Sequence, residues 1–288
     1  MPKNDESPAS VDIREDSLLA LSAEVLDTLL RDHTTGMNIF WATHDYESLG
    51  SEYDYHSQIL PELITGEHGM VIRPRVLKSK EKQTDRSKDM AEVFTPSWIC
   101  DAQNNLVEAS LLSPKGEKDW MGYVRTTCLE ITCGEAPYLV SRYDATTGEP
   151  IPLEKRIGLL DRKLRVVSKN TKTPEEWLEW AEVAYMNIYG YEWQGDNLLL
   201  ARQNLLFSFI EYYQSKFATL PPEDAIHRIA EIISWNLWQM DGLRGVPPDY
   251  PSPGELHDNP IPDMFSTYCV IRDWDNNKEI RYIDLINT

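Results

Sequence analysis

The stretch Glu130-Ile131-Thr132-Cys133-Gly134-Glu135-Ala136-Pro137-Tyr138-Leu139 follows the apolar run Thr127-Cys128-Leu129. An apolar run that ends in an acid and enters a glycine turn reads as a buried strand feeding a loop. In open α/β sheets ligands settle at the carboxyl ends of strands, where a turn without bulky side chains lets backbone N–H groups come close. Two more segments stand at informative distances from it. Upstream is Ala91-Glu92-Val93-Phe94-Thr95-Pro96, and downstream is Ile188-Tyr189-Gly190-Tyr191-Glu192.

Working outward, the spacing predicts helices that alternate with these strands. Strand one covers about 125–132, strand two Ile188–Glu192 and strand three Asn236–Met240, closed by Asp241-Gly242. Thr95 and Pro96 open a helix from Ser97 to Leu112. A helix is expected over 153–168, with Ile157, Leu160, Leu164 and Val167 on one side. Thr173-Pro174-Glu175-Glu176 has a capping-box pattern and opens another. Asp196 is expected to cap a long helix, and Pro222 to open one ending near Ser234. Nearer the N-terminus, Leu18, Leu21, Val25 and Leu29 recur at helical spacing, and Ser57 to Leu63 is a further helix candidate. The proline-rich stretch 246–263 reads as a loop, and Tyr268–Arg272 as a last strand with which Ile280–Ile283 can pair. The fold class is therefore α/β, with a mainly parallel, doubly wound sheet and an N-terminal helical segment. The expected organisation is a disordered lead-in over 1–16, a helical region with a basic strip over 17–90, and an α/β domain over 91–288.

The chain has 288 residues, 41% hydrophobic and 10% aromatic, with nine Trp, so it can fill a core. No apolar run approaches the ~20 residues a membrane-spanning helix needs, so no membrane association is expected. The acidic N-terminus does not read as a secretory signal. Cys100, Cys128, Cys133 and Cys269 form no CxxC pair, which points to a reducing cytoplasm and no disulfide or zinc framework. The scattered histidines give no metal-ligand spacing, so no metal is expected. The net charge of −19 opposes a general grip on nucleic-acid phosphate. It can solubilise the chain, bind a basic partner or imitate DNA. A local exception is the basic strip Arg73, Arg75, Lys78, Lys80, Lys82, Arg86 and Lys88, a candidate DNA contact. The charged residues of 156–170 can meet phosphate, meet an acidic neighbour, or simply face water.

Taken in order from about residue 70 to 243, these segments resemble the amino-methylating, chiefly adenine-specific DNA methyltransferases of restriction–modification systems, and more narrowly proteins identified as restriction endonuclease subunit M. The resemblance implies a Rossmann-like sheet, reduced here, and S-adenosylmethionine (AdoMet) as cofactor. It places Phe94-Thr95-Pro96 at the methionine end of AdoMet, where a threonine hydroxyl and helix N-terminal N–H groups can bind a carboxylate. It makes Glu130, Cys133 and Gly134 the glycine motif, with Ala136 in place of a second glycine and Pro137 removing an N–H donor. It assigns Glu192 to the ribose hydroxyls, since a carboxylate has the paired acceptors a vicinal diol needs, and Asp241 to the adenine amino group.

The family's catalytic tetrapeptide, an acceptor followed by Pro-Pro and an aromatic, is not present. Val246-Pro247-Pro248-Asp249-Tyr250 lacks the leading acceptor, and an Asp separates proline from tyrosine. Asp273-Trp274, after the apolar run Cys269-Val270-Ile271, is the remaining candidate for a variant catalytic pair, the alternative being a salt-bridged Asp and a packed Trp. On this resemblance, the family's later strands and target-recognition domain are not expected in the residues after strand three. The resemblance thus implies a protein partner that supplies them, or a reduced, non-catalytic fold whose acidic surface binds a partner or mimics nucleic acid.

Overall fold

The structure, a computed structural model, describes residues 22–78, 95–110, 119–248 and 268–286. The lead-in over 1–16, Lys80, Lys82, Arg86, Lys88, Phe94 and most of the proline-rich loop lie outside the described residues. In chain order the elements are α1 (Ala23–Leu30), a run of short 3-10 turns between residues 47 and 77, α2 (Ser97–Ser110) and α3 (Trp120–Val124). There follow β1 (Cys128–Glu130), α4 (Leu159–Asn170), α5 (Pro174–Met186), β2 (Ile188–Glu192), α6 (Gly195–Phe217), α7 (Glu223–Asn236) and β3 (Leu237–Gln239). A hairpin of β4 (Val270–Asp273) and β5 (Lys278–Arg281) leads into a final short helix, α8 (Tyr282–Ile286). The chain is α/β, with a parallel sheet in the order β1-β2-β3.

Local chemistry accounts for most boundaries. Pro174 sits in the first turn of α5, and the Thr173 hydroxyl accepts the Glu176 N–H at 3.2 Å. Proline fits there because its missing N–H has no partner in a first turn. Pro222 precedes α7 as expected. The helix expected from residue 153 starts only at Leu159. Its register is set from outside: Leu159 and Leu160 N–H groups bond to the Tyr138 and Leu139 carbonyls, at 2.8 and 2.9 Å. A Cβ on the preceding Gly158 would stand 2.2 Å from the Leu139 oxygen, so glycine is required at that crossing. The helix expected over 57–63 is not formed. Ile59 instead bonds through its N–H to the Ile39 carbonyl at 2.8 Å, Phe40 bridges to Gln58, and only Pro61–Leu63 makes a 3-10 turn. Pairing with the apolar run at 38–42 outweighs the weak helical spacing.

Side chains alternate across the sheet. Cys128, Ile188 and Leu237 face the main core with buried residues of α1 and α4 through α7. Leu129, Tyr189 and Trp238 face the other way, toward Ile271, Ile280 and Tyr282 of the hairpin and α8. One face is thus covered by helices and the other, in part, by the hairpin. Val25, Leu29, Ile39, Trp41 and Ile59 belong to the same core as Leu160, Leu198 and Ile229, so the described N-terminal residues share one apolar interior with the sheet.

Arg202 of α6 ties these layers together. It is fully buried and donates to the Leu29, Arg31, Ser234 and Leu237 carbonyls at 2.5–3.2 Å. Those carbonyls lie at the ends of α1 and α7, where helices leave acceptors unsatisfied. Burial lowers the Arg202 pKa to about 10, and Asp32 opposes that shift. The guanidinium remains charged at neutral pH.

Candidate functional site

β1 and β2 run parallel with Glu130 opposite Gly190. Beyond β1 the chain stays against β2, because the Cys133 N–H donates to the Tyr191 carbonyl at 2.9 Å. The turn that follows is unusual. Thr132, Gly134 and Ala136 have φ of 46°, 55° and 62°, so every second residue is left-handed. Glycine takes this conformation freely. A β-branched threonine does not, and positions of this kind concentrate at ligand sites. Ala136 takes the same left-handed backbone as Gly134.

Two carboxylates hold the turn. Glu192, at the end of β2, accepts the Gly134 N–H at 2.8 Å through one oxygen and the Gln194 N–H at 3.2 Å through the other. Glu130, at the end of β1, accepts the Tyr138 and Leu139 N–H groups at 3.4 and 3.2 Å. Both acids are buried. Burial pushes the Glu130 pKa up to about 8. Its two N–H donors oppose that rise and the Glu192 charge adds to it. Glu130 therefore holds its proton at neutral pH.

Thr95 lies beside this cluster, near the Tyr138 hydroxyl, which itself donates to the Gln103 side-chain oxygen. The Thr95 carbonyl accepts from the Cys100 thiol at 3.7 Å, and the Pro96 carbonyl takes the first backbone bonds of α2. Thr95 is not the helix cap. The Ser97 N–H goes to the Asp144 carboxylate at 3.0 Å, so an acid from a distant loop occupies the place foreseen for a ligand carboxylate. Asp241 lies at the same edge of the sheet, one residue after Met240, whose N–H bonds to the Glu192 carbonyl at 3.0 Å. Its carboxylate accepts the Leu243 and Arg244 N–H groups of its own turn, at 2.9 and 3.1 Å. Thus Glu130, Cys133, Gly134, Glu192 and Asp241 share the carboxyl ends of the three strands, and Thr95 adjoins them.

Glu135 was missed by sequence reasoning. It is 3% exposed, accepts the Arg75 N–H at 2.8 Å and bonds the Tyr143 hydroxyl. Asn204 of α6 donates to the Glu135 carbonyl at 3.2 Å. No sequence signal marks either residue, since Arg75 and Asn204 are both distant from Glu135 in the chain.

The three described members of the basic strip do not share one surface. Lys78 is an internal cation, 2.8 Å from Asp196 in the first turn of α6, with side chains 6% and 0% exposed. Tyr46 donates its hydroxyl to the same Asp196 oxygen at 2.8 Å. Asp196, expected as the cap, sits inside the helix, and Gln194 precedes it. Arg75 is anchored through its backbone to Glu135, while Arg73 is exposed and bonds the Met70 carbonyl.

Asp273 and Trp274 do not join the cluster at the carboxyl ends of the strands. They line a cavity with Thr127 and Asn187, which precede β1 and β2. That is the amino end of the strands, roughly the length of β2, about 15 Å, from Glu192. β4 runs back along the sheet, as the contacts of the Cys269 thiol with the Gln239 carbonyl and of the Tyr189 hydroxyl with the Arg272 carbonyl show. Asp273 closes the hairpin turn by accepting the Asn276 N–H at 3.0 Å. Trp274 donates its indole N–H to Asn236 at 2.8 Å and lies against the guanidinium groups of Arg228 and Arg272. The Lys278 ammonium stands 4.0 Å from the Asp273 carboxylate, and Trp274 packs, partly buried, against the main core.

Among the described residues no cluster of three or more His, Cys, Asp or Glu is arranged to hold a metal ion, and the four cysteines are free and buried. Among those residues no helix is long and apolar enough to cross a membrane. Comparison with protein-family models, with curated proteins and with solved structures gives no match.

Proposed function

We propose that this chain binds AdoMet at the carboxyl ends of β1 and β2 and serves as a methyltransferase-like subunit of a DNA-modification system, dependent on a partner for transfer. The observation that carries the reading is the left-handed turn at 132–136 with the Gly134 N–H on the Glu192 carboxylate. Two backbone N–H groups hold the paired oxygens of Glu192 in a fixed orientation, the arrangement a ribose diol requires. The acids at this edge disfavour phosphate-bearing cofactors and suit a nucleoside with a cationic sulfonium. Thr95 and Tyr138 would flank the methionine end, and Asp241 the adenine end. When bound, AdoMet supplies an electrophilic methyl group. The chain's part is to hold and orient it and keep water from its buried side.

Calorimetric titration with AdoMet tests this. The chain should bind, and Glu192→Ala should weaken binding about tenfold or more, because hydrogen bonds to charged groups contribute roughly 1.5–3 kcal/mol. An unchanged dissociation constant removes Glu192 from the site. No binding by the parent favours a second reading, a non-catalytic acidic interaction protein, for which the position of Asp273 and Trp274 at the amino end of the strands speaks.

A further inference from the structure

Among the described residues β1 is the last strand of its sheet on one side. The Cys128 N–H donates to the Asn187 carbonyl at 3.1 Å, so alternation directs the backbone groups of Cys128 and Glu130 toward β2. The N–H and C=O of Leu129 therefore point the opposite way, to the open edge. Leu129 and Ile131 are 45% and 62% exposed there. Parallel strands are normally covered on both faces and continued at their edges, because an unpaired row of amides beside apolar side chains invites another strand. Among the described residues the face beside this edge is not filled either. A cavity of about 340 Å³ lies between Leu129, Tyr189 and Trp238 of the sheet and Ile271, Ile280 and Tyr282 of the hairpin and α8.

Strand order sharpens the inference. β1-β2-β3 with crossover helices is the order of one mononucleotide-binding half of a doubly wound sheet, and a second half joins such a unit beside β1. The hairpin does not fill that place, since among the described residues β4 and β5 pair only with each other. We infer that the edge of β1 takes a strand from a basic partner polypeptide, with its apolar side chains in the adjoining cavity. Charge selects the occupant. A second copy would bring another −19 against this chain, whereas a basic segment is attracted by the whole molecule, and on the cavity rim Asp273 and Asp275 outweigh Arg272. Docking does not depend on AdoMet. What rests on the cofactor reading is the consequence: residues at one end of the incoming strand stand beside Gly134 and Glu192, where the acceptors and aromatic absent from this chain are needed.

Amide hydrogen exchange of the full chain tests the inference, with a synthetic peptide of alternating valine and lysine as probe and its valine–glutamate counterpart as control. The lysine peptide should slow exchange at Leu129 about tenfold or more, and the glutamate peptide should not. Leu129→Pro removes the outward donor but leaves the β1–β2 ladder intact, and it should weaken peptide binding about tenfold, while Leu129→Ala stays within a few-fold. The inference is overturned if the lysine peptide leaves Leu129 unprotected or if both peptides act alike. It is overturned equally if Leu129 is already protected in the free chain, so that another segment of this protein covers the edge, or if sedimentation shows a dimer that Leu129→Pro dissolves. The proline variant is not decisive if it fails to fold, and the exchange at Leu129 in the parent chain then settles the matter. AdoMet titration of the parent chain reads the cofactor site separately.

Discussion

Thr132 and Ala136 hold left-handed backbone at a cost of roughly 1–2 kcal/mol each. The bonds that offset it are those of Glu192 to Gly134 and of Glu130 to Tyr138 and Leu139. Glu130 also sets a pH dependence. Its folded-state pKa, about 8, lies above the ordinary 4.5, so its contribution is fully present below 4.5 and is lost as pH rises through 8. His33 has the opposite sign. Burial lowers its pKa from 6.5 to about 3, so its contribution is present above 6.5 and is lost as pH falls toward 3. Asp161, raised to about 6, titrates between them. The Glu130 effect is therefore cleanest between about pH 6.5 and 8, where urea stability should fall by roughly 1–2 kcal/mol. Glu130→Gln should flatten that slope, and a variant with the parent's slope would clear Glu130 of the effect.

At the scale of elements, two buried cations join segments that sequence spacing treats separately. Arg202 closes the ends of α1 and α7, and Lys78 fixes the 3-10 turn region on the first turn of α6. The negative charge of Asp196 suits a helix N-terminus, and Tyr46 adds a hydrogen bond. Lys78→Met removes the ammonium from beside the buried Asp196 carboxylate, and should cost about 3–5 kcal/mol in urea denaturation. Adding Asp196→Asn should recover most of that loss. If Lys78 served DNA instead, the single variant would keep its stability and lose affinity for duplex DNA, measured by fluorescence anisotropy.

For the whole molecule, charge and topology point the same way. A chain of net charge −19, with Lys78 spent on an internal ion pair, offers duplex DNA little phosphate attraction. Asp273 and Trp274 stand at the end of the sheet opposite Glu192. The isolated chain should therefore transfer no methyl group from radiolabelled AdoMet to duplex DNA, and Asp273→Ala should leave AdoMet affinity unchanged. Efficient transfer by the chain alone would refute this, as would a loss of cofactor affinity in Asp273→Ala.

Sequence by itself determined the elements whose signals are local. β2 was legible as an apolar run between a helix end and Glu192, and α5 and α7 through prolines that can open a helix but not continue one. The gathering of Glu130, Gly134, Glu192 and Asp241 was legible too, because parallel strands joined by helices bring their carboxyl ends together. Tertiary structure alone decided the rest. The start of α4 is set by Gly158 passing against Leu139, and residues 57–63 by their pairing with 38–42. Lys78 looks like any other member of a basic run until Asp196 is seen beside it. Asp273 and Trp274 end an apolar strand much as a catalytic pair would, and only the antiparallel course of β4 across the sheet carries them to the amino end. Periodicity records which residues are buried but not which distant partner buries them, and here the partner determined each role.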